Sequence, residues 1–257
     1  MVSVLMTAYN REKYIAEAIG SVLASTYSAF ELIIVDDCSK DGTVEIARSF
    51  AARDSRVKVY VNEKNLGDYP NRNRAASYAG GRYLKYLDSD DVLYPHSLQV
   101  MVACMEVFPE AALGLCSVPD PQRPYPVCLS PHESYMEHFN GYGHFERAPG
   151  SAIITREAFE ATGGFTGERM IGDYQLWFMI ARTYPVVKMP RDLVWDRLHA
   201  GQESNSAYAK AYDKLKKKVL MDALRHPDCP LNEEEKRKIS GSSRMARLKK
   251  RVTKFSN

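Results

Sequence analysis

The chain has 257 residues, 45% of them hydrophobic and 26% charged, with a formal net charge of +3. That is enough for one large α/β domain, alone or with an appendage, and the composition excludes the disordered and fibrous classes. No apolar run approaches the roughly 18 residues of a membrane-spanning helix, and five scattered cysteines (Cys38, Cys104, Cys116, Cys128, Cys229) exclude a disulfide framework and a zinc site.

Cysteines of this kind imply a reducing, cytoplasmic setting. Charge is unevenly spread. From residue 207 onward 15 Lys/Arg stand against 6 Asp/Glu, which leaves 20 against 26 of the totals of 35 and 32 for everything before it. An acidic body therefore carries a basic tail.

Residues 2–8 read as a first strand, since they have neither a basic leader nor a cleavage site. Tyr9-Asn10-Arg11 breaks it before a helix whose apolar stripe is Tyr14, Ile15, Ala18, Ile19, Val22 and Leu23. A second apolar run, 30–35, ends in the turn chemistry of Asp36-Asp37-Cys38-Ser39-Lys40-Asp41-Gly42-Thr43, where Asp36 and Asp41 suit Asx turns and Asp41 or Thr43 suits the cap of a helix at 44–52. Residues 57–61 form a third strand, 71–79 a helix and 83–87 a fourth strand. Strands alternating with helices imply βαβ units and a doubly wound, mostly parallel sheet. There is no G-x-G-x-x-G and no P-loop, so a dinucleotide oxidoreductase and a P-loop NTPase are unsupported. Beyond a helix carrying Leu98, Met101, Val102, Met105 and Phe108, the proline-rich stretch 119–149 reads as a long irregular excursion over the sheet. Order returns with a strand at 151–155, helices at 156–162 and 173–183, and strands at 186–189 and 193–198; the remainder is helical and basic.

The fourth strand ends in Asp88-Ser89-Asp90-Asp91, three carboxylates within four positions. Open α/β sheets bind ligands beyond the carboxyl ends of their strands, and hard divalent ions prefer carboxylate oxygen. The cluster is thus either a cation site holding a phosphate-bearing ligand or an acidic turn capping the helix that starts near Pro95.

Four separated pieces, Val4-Leu5-Met6-Thr7-Ala8-Tyr9-Asn10, Val35 to Thr43, Asn65-Leu66-Gly67 with Asn71-Arg72-Asn73, and Leu87-Asp88-Ser89-Asp90-Asp91, occur in an order that resembles the family 2 glycosyltransferases, inverting enzymes of the GT-A fold. The resemblance implies a GT-A domain over residues 1–204, with a nucleotide-binding half at 1–110 and an acceptor half at 111–204, followed by a basic helical extension at 205–257. It implies an enzyme of the hexosyltransferase type, moving a sugar from a nucleoside diphosphate, UDP by preference, to a hydroxyl of a glycan or lipid-linked acceptor in cell-surface polysaccharide synthesis. Thr7, Ala8 and Tyr9 would lie along the nucleobase, and Asp37 would accept from the base N3–H. Arg72 would face the diphosphate, with Arg74 the weaker candidate. Asp88 and Ser89 would contact the donor. Asp90, with Asp88, would hold Mn²⁺ or Mg²⁺, and Asp91 would stand behind them.

An inverting transfer also needs a general base. The family's usual Glu-Asp pair at a helix start corresponds to Gly172-Asp173, so the aspartate is kept and the glutamate is absent. Asp173 is accordingly the expected base, with Tyr174 and Trp177 as a platform for a sugar face. His199, in Arg197-Leu198-His199, matches a segment in which many members place a histidine near the metal. Ser151, Ala152 and the loop 141–145, including Tyr142 and Phe145, would fall on the acceptor side.

In the tail, Met245, Leu248, Val252 and Phe255 recur at helical spacing among basic residues. Residues 244–255 read either as an interfacial helix that holds the protein peripherally on an anionic inner membrane face or as a solvated terminal helix. Nucleic acid is not an expected partner, since the sheet half is acidic. Two rival functions remain: a sugar nucleotidyltransferase, against which the absence of a glycine-rich amino-terminal loop argues, and a non-catalytic sugar-nucleotide or glycan-binding module.

Overall fold

The computed structural model describes residues 1–140, 143–199 and 212–241. Expectations on Tyr142, on Gly201-Gln202-Glu203-Ser204 and on the amphipathic tail at 244–255 lie outside the described residues.

Strands β1 (Val2–Ala8), β2 (Phe30–Asp36), β3 (Val57–Val61) and β4 (Tyr83–Tyr86) run parallel in the order β3-β2-β1-β4. Their crossovers are α1 (Ile15–Leu23), α2 (Thr43–Ala51) and α3 (Asp68–Ser77). Both faces of this sheet are covered, which is why β1 and β2 read as unbroken apolar runs and not as alternating ones. Leu5, Ile33 and Leu84 pack on one face, and Val4, Met6, Leu32 and Ile34 on the other.

After β4 come β5 (Val92–Leu93), α4 (Ser97–Glu106), β6 (Leu113–Cys116), β7 (Val127–Leu129), α5 (Pro131–Asn140), β8 (Ala152–Thr155), α6 (Arg156–Ala161), α7 (Gly172–Thr183), β9 (Val186–Met189) and β10 (Val194–Trp195). Strands β8, β6, β9 and β7 extend the sheet from β4, β8 and β7 antiparallel to their neighbours. The sheet is therefore mixed but mostly parallel. Beyond it, α8 (Tyr212–Arg225) buries Val219, Leu220, Ala223 and Leu224 in the core that α7 shares, and α9 (Glu233–Gly241) follows. Among the described residues no helix is long and apolar enough to cross a membrane.

The stretch 119–149 is more ordered than its composition suggests. It contributes an edge strand, where prolines flanking β7 cost no ladder bonds, and helix α5. Ser130 and Glu133 cap that helix reciprocally: Ser130 N–H and Oγ–H donate to Glu133 Oε2, and Glu133 N–H donates to Ser130 Oγ. The strand expected at 193–198 shrinks to Val194–Trp195, which pairs antiparallel with β5.

Candidate active site

Because β1, β2 and β4 are parallel, their carboxyl ends open onto one edge, and the expected nucleotide residues gather there. Asp37 N–H donates to Ala8 O at 2.7 Å. Thr7 is partly buried, Ala8 is buried, and Tyr9 is 46% exposed. Asn10 takes a left-handed φ of 53°, a conformation asparagine tolerates, and its side chain accepts from Lys40 N–H. Asp36 accepts from Ser39 N–H and Asp41 from Thr43 N–H, the turn roles their spacing suggests. Asp37 is buried and holds the neighbouring loop: Oδ1 accepts from Asn62 Nδ2 and Leu66 N–H at 2.8 Å each, and Oδ2 from Gly67 N–H at 2.9 Å.

Arg72 is the buried cation of the site. Its Nε donates to Asp68 and one Nη to Asp88, both at 2.7 Å, while Nη1 is buried with no hydrogen-bond partner among the described residues. Burial opposes its charge, but the two carboxylates hold it protonated. Arg74 is exposed and its Nε donates to the Tyr78 hydroxyl, so it is a surface residue of α3.

Carboxylate oxygens of Asp88, Asp90 and Asp91 lie within 4.8 Å of one another, with Ser89 buried between them. Asp90 Oδ2 meets Arg11 Nε at 3.0 Å and His199 Nε2 at 2.9 Å. The β5–β10 pairing explains the second contact: it lays 195–199 over the acidic turn, where Arg197 N–H donates to Asp91 Oδ1 and Arg197 Nε to Asp90 O. Burial and the neighbouring Asp88 push the Asp91 carboxyl up to about 7. Beneath the turn Lys85 is fully buried, donates to the carbonyls of Tyr86 and Gly150, and is pushed down to about 8 by burial. Three clustered carboxylates, an imidazole on one of them and an orphaned guanidinium nitrogen nearby suit a divalent cation bridged to a phosphate-bearing ligand.

One turn from Arg72 towards the start of α3, Tyr69 meets Asp173, which opens α7. Its Oδ1 accepts from Tyr174 N–H at 2.7 Å and from the Tyr69 hydroxyl at 3.1 Å, while Oδ2 has no partner among the described residues. Burial pushes its carboxyl up to about 6. Tyr174 and Trp177 form no sugar platform. Both are buried, Tyr174 with its hydroxyl 2.8 Å from His138 Nε2 and Trp177 with Nε1 donating to Arg147 O at 2.7 Å. They lie on the face of α7 that meets the core. Phe145 is likewise fully buried, stacked on His138 at 4.9 Å, and is unavailable for carbohydrate stacking.

Sequence reasoning assigned no role to Arg11, Asp68, Tyr69 or Arg197. Only the Asp68–Arg72 pair carried a readable signal, the i,i+4 spacing of opposite charges on a helix.

A mostly parallel sheet whose strand ends gather an exposed aromatic, a buried arginine and a carboxylate cluster is of the GT-A class of α/β folds. The profile of Glycosyl transferase family 2 matches residues 3–163, and the chain belongs to that family. It is similar to UDP-Glc:alpha-D-GlcNAc-diphosphoundecaprenol beta-1,3-glucosyltransferase WfgD of Escherichia coli, 40% identical over 105 residues, 41% of this chain and 41% of WfgD. The matches span 36% to 41% of the length of this and two further curated relatives. In structure it is similar to S. aureus TarS 1-349 in complex with UDP-GlcNAc (TM-score 0.75, 21% identity, 99% of this chain and 73% of that one). It is also similar to mannosyltransferase PcManGT from Pyrobaculum calidifontis in complex with GDP-Man and Mn²⁺ (TM-score 0.69, 19% identity, 98% and 73%). These two likenesses bear on the fold.

Proposed function

We propose that the chain is a metal-dependent inverting glycosyltransferase that moves a hexosyl group from a UDP-sugar to a hydroxyl of a glycan or lipid-linked acceptor in cell-surface polysaccharide synthesis. The observation that carries this reading is the placement of α3. One turn apart on this helix, Arg72 reaches Asp88 of the acidic turn and Tyr69 reaches Asp173, so the leaving-group side and the base side of a displacement flank one helix. WfgD, by its name, acts on a UDP-sugar and a diphosphoundecaprenol-linked acceptor, which supports both the donor and the acceptor class.

Tyr9 offers its exposed ring to a nucleobase beside Thr7 and Ala8. Asp37 Oδ2, which among the described residues accepts from Gly67 N–H alone, keeps capacity for a uracil N3–H. The free Nη1 of Arg72 donates to the diphosphate. Asp90 and Asp88, with His199, would hold Mn²⁺ or Mg²⁺, and Ser89 lies against the donor; an imidazole among carboxylates suits Mn²⁺ better than Mg²⁺. The bound ion would supply charge neutralisation at the leaving diphosphate. Asp173 takes the acceptor proton through Oδ2 as the acceptor oxygen attacks the anomeric carbon from the face opposite the diphosphate.

Thermal melting and UDP or GDP release across a panel of nucleotide sugars with Mn²⁺ test this. At least one UDP-sugar should raise the melting temperature in a Mn²⁺-dependent way and be slowly hydrolysed. Stabilisation by none would refute the proposal, and stabilisation with neither hydrolysis nor transfer to any glycan or lipid-linked acceptor would leave a binding module.

A further inference from the structure

We infer that Tyr69 is the positioning residue for Asp173, and that Gly172 is glycine because the Tyr69 ring fills the space any side chain there would need. The inference rests on the reading of Asp173 as the base. Tyr69 is 4% exposed, packs its ring on Phe165 at a centroid distance of 5.0 Å, and donates its hydroxyl proton to Asp173 Oδ1. A Cβ built on Gly172 would fall 2.9 Å from Cδ2 and Cε2 of that ring and 3.0 Å from Cγ. These atoms belong to a rigid ring held between α3 and Phe165, so it cannot swing aside as a flexible side-chain end could. The two positions are one device: only a chain with no side chain at 172 can bring a tyrosine hydroxyl from α3 onto the carboxylate at 173.

With Tyr69 and the Tyr174 amide both on Oδ1, the carboxylate is fixed in rotation and Oδ2 is turned to the acceptor. Tyr69 acts as a neutral donor. Burial, and then the negative charges of Asp173 and Asp68, raise its phenol well above the ordinary tyrosine range. The charged and titratable groups facing Asp173 are Asp68, Arg72 and Tyr69 from α3 and Tyr212 from the start of α8. The same helix that places the buried arginine against the acidic turn therefore also sets the base.

The test compares Tyr69→Phe, which keeps the ring and loses the hydroxyl, with Gly172→Ala, Asp173→Asn and the Tyr69→Ala/Gly172→Ala pair, measuring UDP release from UDP-glucose with Mn²⁺ against pH. Tyr69→Phe should lower kcat by about tenfold, the effect of one hydrogen bond to a charged group. It should leave KM for the donor within about twofold. The acid limb of its profile should move to higher pH, because a bond that favours the ionised Asp173 is gone. Gly172→Ala should cost much more in the wild-type background than in Tyr69→Ala, showing that the two positions are coupled. A wild-type kcat and acid limb in Tyr69→Phe overturn the inference, as do equal costs of Gly172→Ala in both backgrounds. If Asp173→Asn retains turnover, the base assignment itself falls; if it is inactive while Tyr69→Phe is unchanged, only the role of Tyr69 falls.

Discussion

On the proposed metal role of Asp90, Arg11 would compete with the ion for that carboxylate, and Arg11→Ala should make the nucleotide-free protein bind Mn²⁺ more tightly. Arg11 Nε sits 3.0 Å from Asp90 Oδ2, with the two side chains 27% and 13% exposed. Its Nη1 donates to the carbonyls of Tyr9 and Asn10 at 3.2 Å each, which pins the guanidinium at the end of β1. The gross attraction of such a pair is about 4 kcal/mol at an effective dielectric constant near 20. Desolvation and side-chain ordering offset most of it, leaving about 1 kcal/mol that a cation must displace. Removing the guanidinium also removes a positive charge beside the incoming ion. Together these correspond to about a tenfold fall in the dissociation constant for Mn²⁺, at 1.4 kcal/mol per decade. The free-ion electron paramagnetic resonance signal during a Mn²⁺ titration reads this without any turnover. Equal or weaker binding by Arg11→Ala would refute the reasoning.

Asp173→Asn should abolish transfer while leaving donor affinity unchanged in calorimetry, and wild-type kcat/KM should fall below about pH 6 as the carboxyl protonates. Stability carries the opposite sign. A carboxyl raised on folding from 3.8 to about 6 contributes stability that is present below pH 3.8 and lost as pH rises through 6. The asparagine variant should therefore melt above wild type at pH 8, with the gap closing below pH 4. A variant that melts lower at pH 8 would contradict the burial argument. Asp37→Ala removes three hydrogen bonds to a buried carboxylate: Asn62 Nδ2 keeps Asn71 Oδ1 and Gly67 N–H keeps Asn65 Oδ1, but the Leu66 amide loses its acceptor. It should cost about 2–4 kcal/mol in chemical denaturation, and a loss near zero would show that the loop is held by other groups.

The parallel half of the fold was legible because strands covered on both faces leave continuous apolar runs, and residues 57–61 and 186–189 coincide with β3 and β9 to the residue. Helix α3 begins three positions earlier than its pattern implied. Pro70 lies in its first turn, where no intrahelical N–H bond is required. Helix α5 was announced by Ser130-Pro131-His132-Glu133, a capping box hidden by the prolines before it.

In the site, residues next to strand ends could be placed from sequence alone, since the strand fixes where they open. The contact of His199 with Asp90 depends on the β5–β10 pairing, and that of Arg11 on a turn that folds back over the acidic cluster. Neither pairing has a local signature. Tyr174 and Trp177 misled because adjacency to Asp173 along the chain says nothing about which face of α7 they occupy.

The most direct test of metal-dependent donor binding is calorimetric titration of UDP with Mn²⁺ into wild type and Asp90→Ala. The account predicts measurable affinity for the wild type, lost in the variant and lost from the wild type when Mn²⁺ is chelated. Equal affinity in Asp90→Ala would contradict it.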